Sequence, residues 1–92
     1  MGLNEKYYIC VFDTKNMAVY LSCALEGLGY KNFQLISTPC EIKAGCSYSI
    51  KFSKIRYLDI IEEEAENLGI KIKSLYLVDR INGKRSIKKI SI

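Results

Sequence analysis

The period of the apolar residues switches back and forth along this chain, and that alternation limits its folds more than any other feature. Residues 7–12 (YYICVF) form an aromatic and β-branched run bounded by polar residues, the pattern of a buried strand. Asp13 and Thr14 then offer an N-cap, and Met17, Ala18, Leu21, Ala24, Leu25 and Leu28 recur at helical spacing until Gly29 stops them. Residues 33–37 (FQLIS) read as a second, short strand. Tyr48, Ile50 and Phe52 alternate with Ser49 and Lys51, as in a half-buried strand. Leu58, Ile61, Ala65 and Leu68 return to helical spacing, with Glu62, Glu63, Glu64 and Glu66 mostly off that face and Gly69 at its end. Residues 70–81 are extended again, and Asn82-Gly83 is a two-residue hairpin signal that sends residues 84–92 back as a short strand or tail.

The order β-α-β-β-α-β with a C-terminal hairpin arm predicts an α+β, ferredoxin-like sandwich, an antiparallel sheet with both helices on one face. One domain is expected over residues 1–92, with 83–92 as its basic strand or tail. In such a topology the loop between the second and third strands, residues 38–46 (TPCEIKAGC), shares a sheet end with Thr14, Lys15 and Asn16. That loop holds the chain's one proline and two of its four cysteines. A helix N-terminus carries partial positive charge and free N–H groups, so a thiol beside it would lean toward thiolate.

A chain of 92 residues supports one modest core, and a deep enclosed active site is not expected. Hydrophobic residues at 49% and charged residues at 26% are a globular balance rather than a disordered one. Histidine is absent, which removes Ser-His and Cys-His nucleophile pairs and mixed Cys/His zinc sites. The cysteines at 10, 23, 40 and 46 contain no C-x-x-C pair, so neither a metal nor another cofactor is expected. No apolar run is long enough for a membrane span, and residues 1–12 lack the pattern of a secretory signal. With four cysteines, that suggests a cytoplasmic protein with free thiols.

The net charge of +4 is uneven: residues 71–92 carry +6 and the rest −2. A basic tail attracts nucleic acid or an acidic partner. Lysines on an edge strand also prevent aggregation. No aromatic residue lies among the cations from Arg80 onward, so nucleic acid is the weaker expectation.

Cys10, inside an apolar strand, reads as core. Cys23 falls opposite the apolar stripe of the first helix and reads as an exposed surface residue. Cys46 follows Gly45, with Lys43 and Lys15 as neighbouring cations, and reads as the reactive thiol. Cys40 follows Pro39 and is close enough along the loop to act as a resolving thiol or to form a reversible disulfide with Cys46. The glutamates of the second helix are read as a solvated face, because adjacent helical residues do not face one another.

The segments VFDT (residues 11–14), TPCEIKAGC and SYSIKF (residues 47–52) resemble a family of small bacterial selenium/sulfur carrier-like domains. In that family a strand ending in Phe and a small polar residue leads to a helix. A Pro-x-x-[Ile/Leu] segment then precedes a Cys-Gly that opens an alternating strand. The resemblance covers most of residues 7–76, and Cys46 matches the family cysteine. Two positions depart from it: Cys40 replaces an arginine after the proline, and Ser47 replaces the glycine after the cysteine.

The resemblance implies a carrier rather than an enzyme. Cys46 would accept sulfur or selenium from a donor enzyme such as a cysteine desulfurase and hold it as a persulfide or perselenide, with Cys40 releasing or protecting it. The alternative is a non-catalytic interaction or regulatory module. Seven tyrosines and a lysine-rich arm offer surface for a homodimer or another partner.

Overall fold

The computed structural model describes residues 5–42 and 47–91. Among them the chain runs β1 (Glu5–Phe12), α1 (Lys15–Gly27), β2 (Gln34–Ser37), β3 (Tyr48–Phe52), a 3₁₀ turn (Ile55–Tyr57), α2 (Leu58–Leu68), β4 (Ile72–Ile81) and β5 (Lys84–Ile90). The strands form one antiparallel sheet in the order β2-β3-β1-β4-β5. The expected four-strand sheet is thus extended by a fifth strand at the β4 edge.

That strand follows from the Asn82-Gly83 turn. Both residues have positive φ, 53° and 82°, which matches the right-handed twist of the flanking strands. The turn places Ile81 opposite Lys84 and carries the pairing back to Leu75 opposite Ile90. Residues 84–90 are therefore a paired strand and not a loose arm.

The helices begin and end as their sequences dictate. Thr14 caps α1, its Oγ1 accepting the Met17 N–H at 3.3 Å. At the C-terminus Tyr30 N–H donates to the Leu25 carbonyl and Gly29 N–H to that of Glu26. α2 repeats the arrangement, with Ile70 donating to Ala65 and Gly69 to Glu66. This is the Schellman closure, and it requires the left-handed backbone that Gly29 and Gly69 provide. Leu28, expected in the apolar stripe, is instead 58% exposed at the C-cap of α1.

Alternation along the strands divides the apolar residues between two faces. Cys10 and Phe12 of β1, Ile50 and Phe52 of β3 and Leu75 of β4 pack under Ala18, Leu21 and Leu25 of α1 and Ile61 and Ala65 of α2. Both helices thus cover the same face. The other face carries a second cluster, Ile9, Val11 and Val78, flanked by Tyr7, Ile36, Tyr76 and Ile87. No described helix lies on it. Its cover is the start of the loop between β2 and β3, through Ile42.

Candidate functional site

The loop leaves β2 at Ser37, which pairs with Tyr48 of β3, and Val11 of β1 pairs with Ser49. The loop and the start of α1 therefore belong to the same end of the sheet, as the topology predicts. The described part of the loop turns away from the helices. Thr38 N–H donates to the Ser47 carbonyl at 2.9 Å, and the Thr38 and Ser49 hydroxyls share a buried hydrogen bond of 2.5 Å. The backbone then bends at Pro39, with Ile42 N–H donating to the Pro39 carbonyl at 2.9 Å. The bend lays Ile42 on the Ile9, Val11 and Val78 cluster, and Glu41 receives a hydrogen bond and ion pair from Arg85 of β5 at 2.5 Å.

Cys40 lies on this bend and is exposed, with Pro39 half-buried beside it. Thr14 is exposed and occupied as the α1 cap, and Lys15 is exposed in the first turn. Lys73 approaches Asp13 to 3.9 Å in the same neighbourhood. Lys43, Gly45 and Cys46 lie outside the described residues, so the expected grouping of Cys46 with Thr14, Lys15 and Lys43 does too. What the structure does bring together is the Pro39–Cys40 corner, the hydroxyls beneath it and the basic edge strand.

Those hydroxyls form a polar floor. Thr38, Ser47, Ser49 and Ser74 are all buried, and β1 places Val11 between Ser49 and Ser74 in register. The Ser47 Oγ is buried with no hydrogen-bond partner among the described residues. A buried hydroxyl left in this state loses its hydration without return. Ser47 directly follows Cys46 in the chain.

The charged groups at the loop are set by local contacts. The Glu41 carboxyl is held below its ordinary value, first by its own backbone N–H and then by the Arg85 guanidinium. Arg85 is shifted upward by hydrogen bonding to Glu41 and then to Tyr7. Tyr7 in turn has the Lys51 ammonium 4.3 Å from its ring centroid, on the same face. Sequence reasoning missed the Glu41–Arg85 contact. The cations of β5 were visible, but nothing in the sequence reveals a pair 44 residues apart.

The remaining thiols are as expected. Cys10 is fully buried, and burial, reinforced by the Glu62 charge, pushes its pKa up to about 12. Cys23 is exposed on α1. Glu62, Glu63 and Glu66 are exposed and Glu64 half-buried, a solvated helix face. Among the described residues no cluster of His, Cys, Asp or Glu is arranged to hold a metal, and no helix is long and apolar enough to cross a membrane.

Fold and loop together define a small α+β domain that displays a cysteine-bearing turn at the end of an antiparallel sheet. A family model described as "Putative Se/S carrier protein-like" matches residues 7–77, and the chain belongs to that family. The match spans β1 through most of β4 and includes the whole of the loop. No curated protein and no solved structure matches the chain.

Proposed function

We propose that this protein carries sulfur or selenium on Cys46, with Cys40 as the resolving thiol. The observation that carries the proposal is that the family match contains a cysteine loop whose described half is anchored on the sheet and presents Cys40 to solvent. The Cys46 thiolate attacks the outer sulfur of a donor persulfide, R–S–SH. The donor's S–S bond breaks, R–S⁻ leaves, and Cys46 becomes Cys–S–SH. An acceptor thiolate repeats the exchange on the outer sulfur and regenerates the Cys46 thiolate. Alternatively the Cys40 thiolate attacks the inner sulfur, forming the Cys40–Cys46 disulfide and expelling HS⁻. Selenium follows the same steps with HSe⁻ as the released ion.

None of these steps draws on a histidine, a metal or another cofactor. The Ser47 hydroxyl, which has no hydrogen-bond partner among the described residues, would serve as a donor to the anionic outer atom. A reducing cytoplasm and a desulfurase-type donor fit this chemistry. The ferredoxin-like reading of the fold rests on the run β2-β3-β1-β4 within the five-strand order.

The test is to incubate wild type, Cys40→Ser and Cys46→Ser with a persulfide donor and to measure bound sulfane sulfur. The expected result is that Cys46→Ser does not load. Cys40→Ser is expected to load and to hold its cargo longer than wild type. Loading of Cys46→Ser at the wild-type level would overturn the mechanism and favour the interaction-module reading.

A further inference from the structure

We propose that β5 is a docking edge for an extended acidic segment of a partner protein, and that docking loosens the cysteine loop because the segment takes Arg85 from Glu41. The inference holds whether or not Cys46 carries an atom, since it rests only on β5 and the described half of the loop.

Three observations carry it. First, β5 is an outer strand of the sheet, with β4 on one side only. Its outward backbone groups offer the ladder to which an extended peptide adds. Second, its side chains alternate so that cations stand on both faces. Arg85 and Lys89 flank Ile87 on the helix-free side, while Lys84 and Lys88 point to the other. Lys84, Lys88 and Lys89 form no salt bridge among the described residues, and residues 71–92 hold all the excess positive charge of the chain. An extended strand with acidic residues along the face of Arg85 and Lys89 is the complement on the side that meets the loop.

Third, the chain already supplies one such carboxylate to this strand. Glu41 sits on Arg85 as a partner's glutamate would, and its neighbour Ile42 covers the Ile9, Val11 and Val78 cluster. An incoming carboxylate on Arg85 therefore competes with the loop's own anchor. Exposed ion pairs are weak, so the exchange is readily reversible. The lysines alone would be explained by protection of an edge strand from aggregation. The seated Glu41 is not, because it joins that edge to the cysteine loop.

The experiment uses the full chain, isotope-labelled, titrated with an alternating Glu-Val octapeptide. Controls are the Lys-Val octapeptide and a short single-stranded oligonucleotide. The Glu-Val peptide is expected to shift the amides of Lys84 to Ile90 and to speed exchange of the Ile42 amide by roughly two- to fivefold, the scale of a lost surface pair. Glu41→Gln is expected to show the faster Ile42 exchange without peptide and to bind the peptide more tightly. Arg85→Gln is expected to bind more weakly and to lose the response of Ile42. If Arg85→Gln does not fold, Glu41→Gln tests the same contact from the loop side. Absence of peptide binding, binding with Ile42 exchange unchanged in wild type, or tighter binding of the oligonucleotide than of the peptide would each overturn the proposal.

Discussion

The two faces of the sheet are closed by different means. On one, two helices bury Phe12, Phe52, Ile50, Leu75 and Cys10 almost completely. On the other, Ile9, Val11 and Val78 lie beneath half-buried tyrosines and isoleucines and the bend that carries Ile42. Apolar burial under the helices is large, non-directional and lost only on global unfolding. Among the described residues the bend is held by Ile42, a few hydrogen bonds and the Glu41–Arg85 ion pair. Local opening therefore costs little there, and this is the side on which the cysteine loop begins.

The sharpest way to break this comparison is to empty a position on the helix-covered face. Phe52 is 2% exposed, stacks on Tyr8 at 5.4 Å and meets Phe33 edge-on at 6.2 Å. Phe52→Ala is expected to cost about 3–5 kcal/mol, which is a large share of the stability of a domain this small. Denaturant unfolding with an unchanged m-value measures it. A loss of under about 1 kcal/mol would mean that the helices do not hold this face.

The helix-covered face was also the legible one. Alternation in YYICVF and YSIKF, the helical spacing of Leu21, Leu25, Ile61 and Ala65, and the glycines at 29 and 69 each encode their element locally. Asn82-Gly83 likewise announced β5 through turn chemistry alone. The opposite face was not legible in the same way. Ile9, Val11 and Val78 could be placed on strands, but nothing local says that Ile42 returns to cover them. Glu41 and Arg85 meet only once five strands are in register. The candidate site was legible as a loop with two thiols, whereas its anchors depend on contacts distant in sequence.

Alkaline pH sharpens the comparison through Cys10. Its pKa rises from 9.0 to about 12 in the folded protein, because burial under the helices disfavours the thiolate and Glu62 adds to the effect. A raised folded value means that the contribution is fully present below the unfolded value near 9 and is lost as pH rises toward 12. The full loss approaches roughly 4 kcal/mol at 1.36 kcal/mol per unit. The measurement is the difference in stability between wild type and Cys10→Ala from pH 8 to the highest pH at which both stay folded. Parallel curves would reject it. Alkylation at neutral pH gives the companion result, with Cys40 and Cys23 labelled in the native protein and Cys10 only after unfolding.

Ile42→Ala examines the weaker cover directly. Ile42 is itself half-buried, so the space left by its truncation opens to water and the cavity term is small. The expected cost is about 1–2 kcal/mol, well below that of Phe52→Ala, from removing half-buried methylenes. Exchange should accelerate at Thr38 more than at the paired amides of β1 and β3. A cost equal to that of Phe52→Ala would show that both faces are sealed equally, and the distinction between them would fail.

The smallest expected effect belongs to Glu41. Its folded-state pKa is lowered from 4.5 by its own backbone N–H and then by Arg85. A lowered folded value means that the stabilising contact is present above the unfolded value and is lost as pH falls through the folded one. The anchor should therefore be intact at neutral pH and fade only below about 4.5. The measurement is the ratio of Ile42 amide protection in wild type to that in Glu41→Gln, which removes the intrinsic pH dependence of exchange. A ratio of roughly two to five is expected at neutral pH, falling to one in acid. Salt should reduce the neutral-pH ratio, because the Glu41 and Arg85 side chains are both partly exposed and the attraction between them is screened. A ratio of one at every pH would mean that Ile42 and the hydroxyl floor hold the loop unaided, leaving the basic strand without a grip on it.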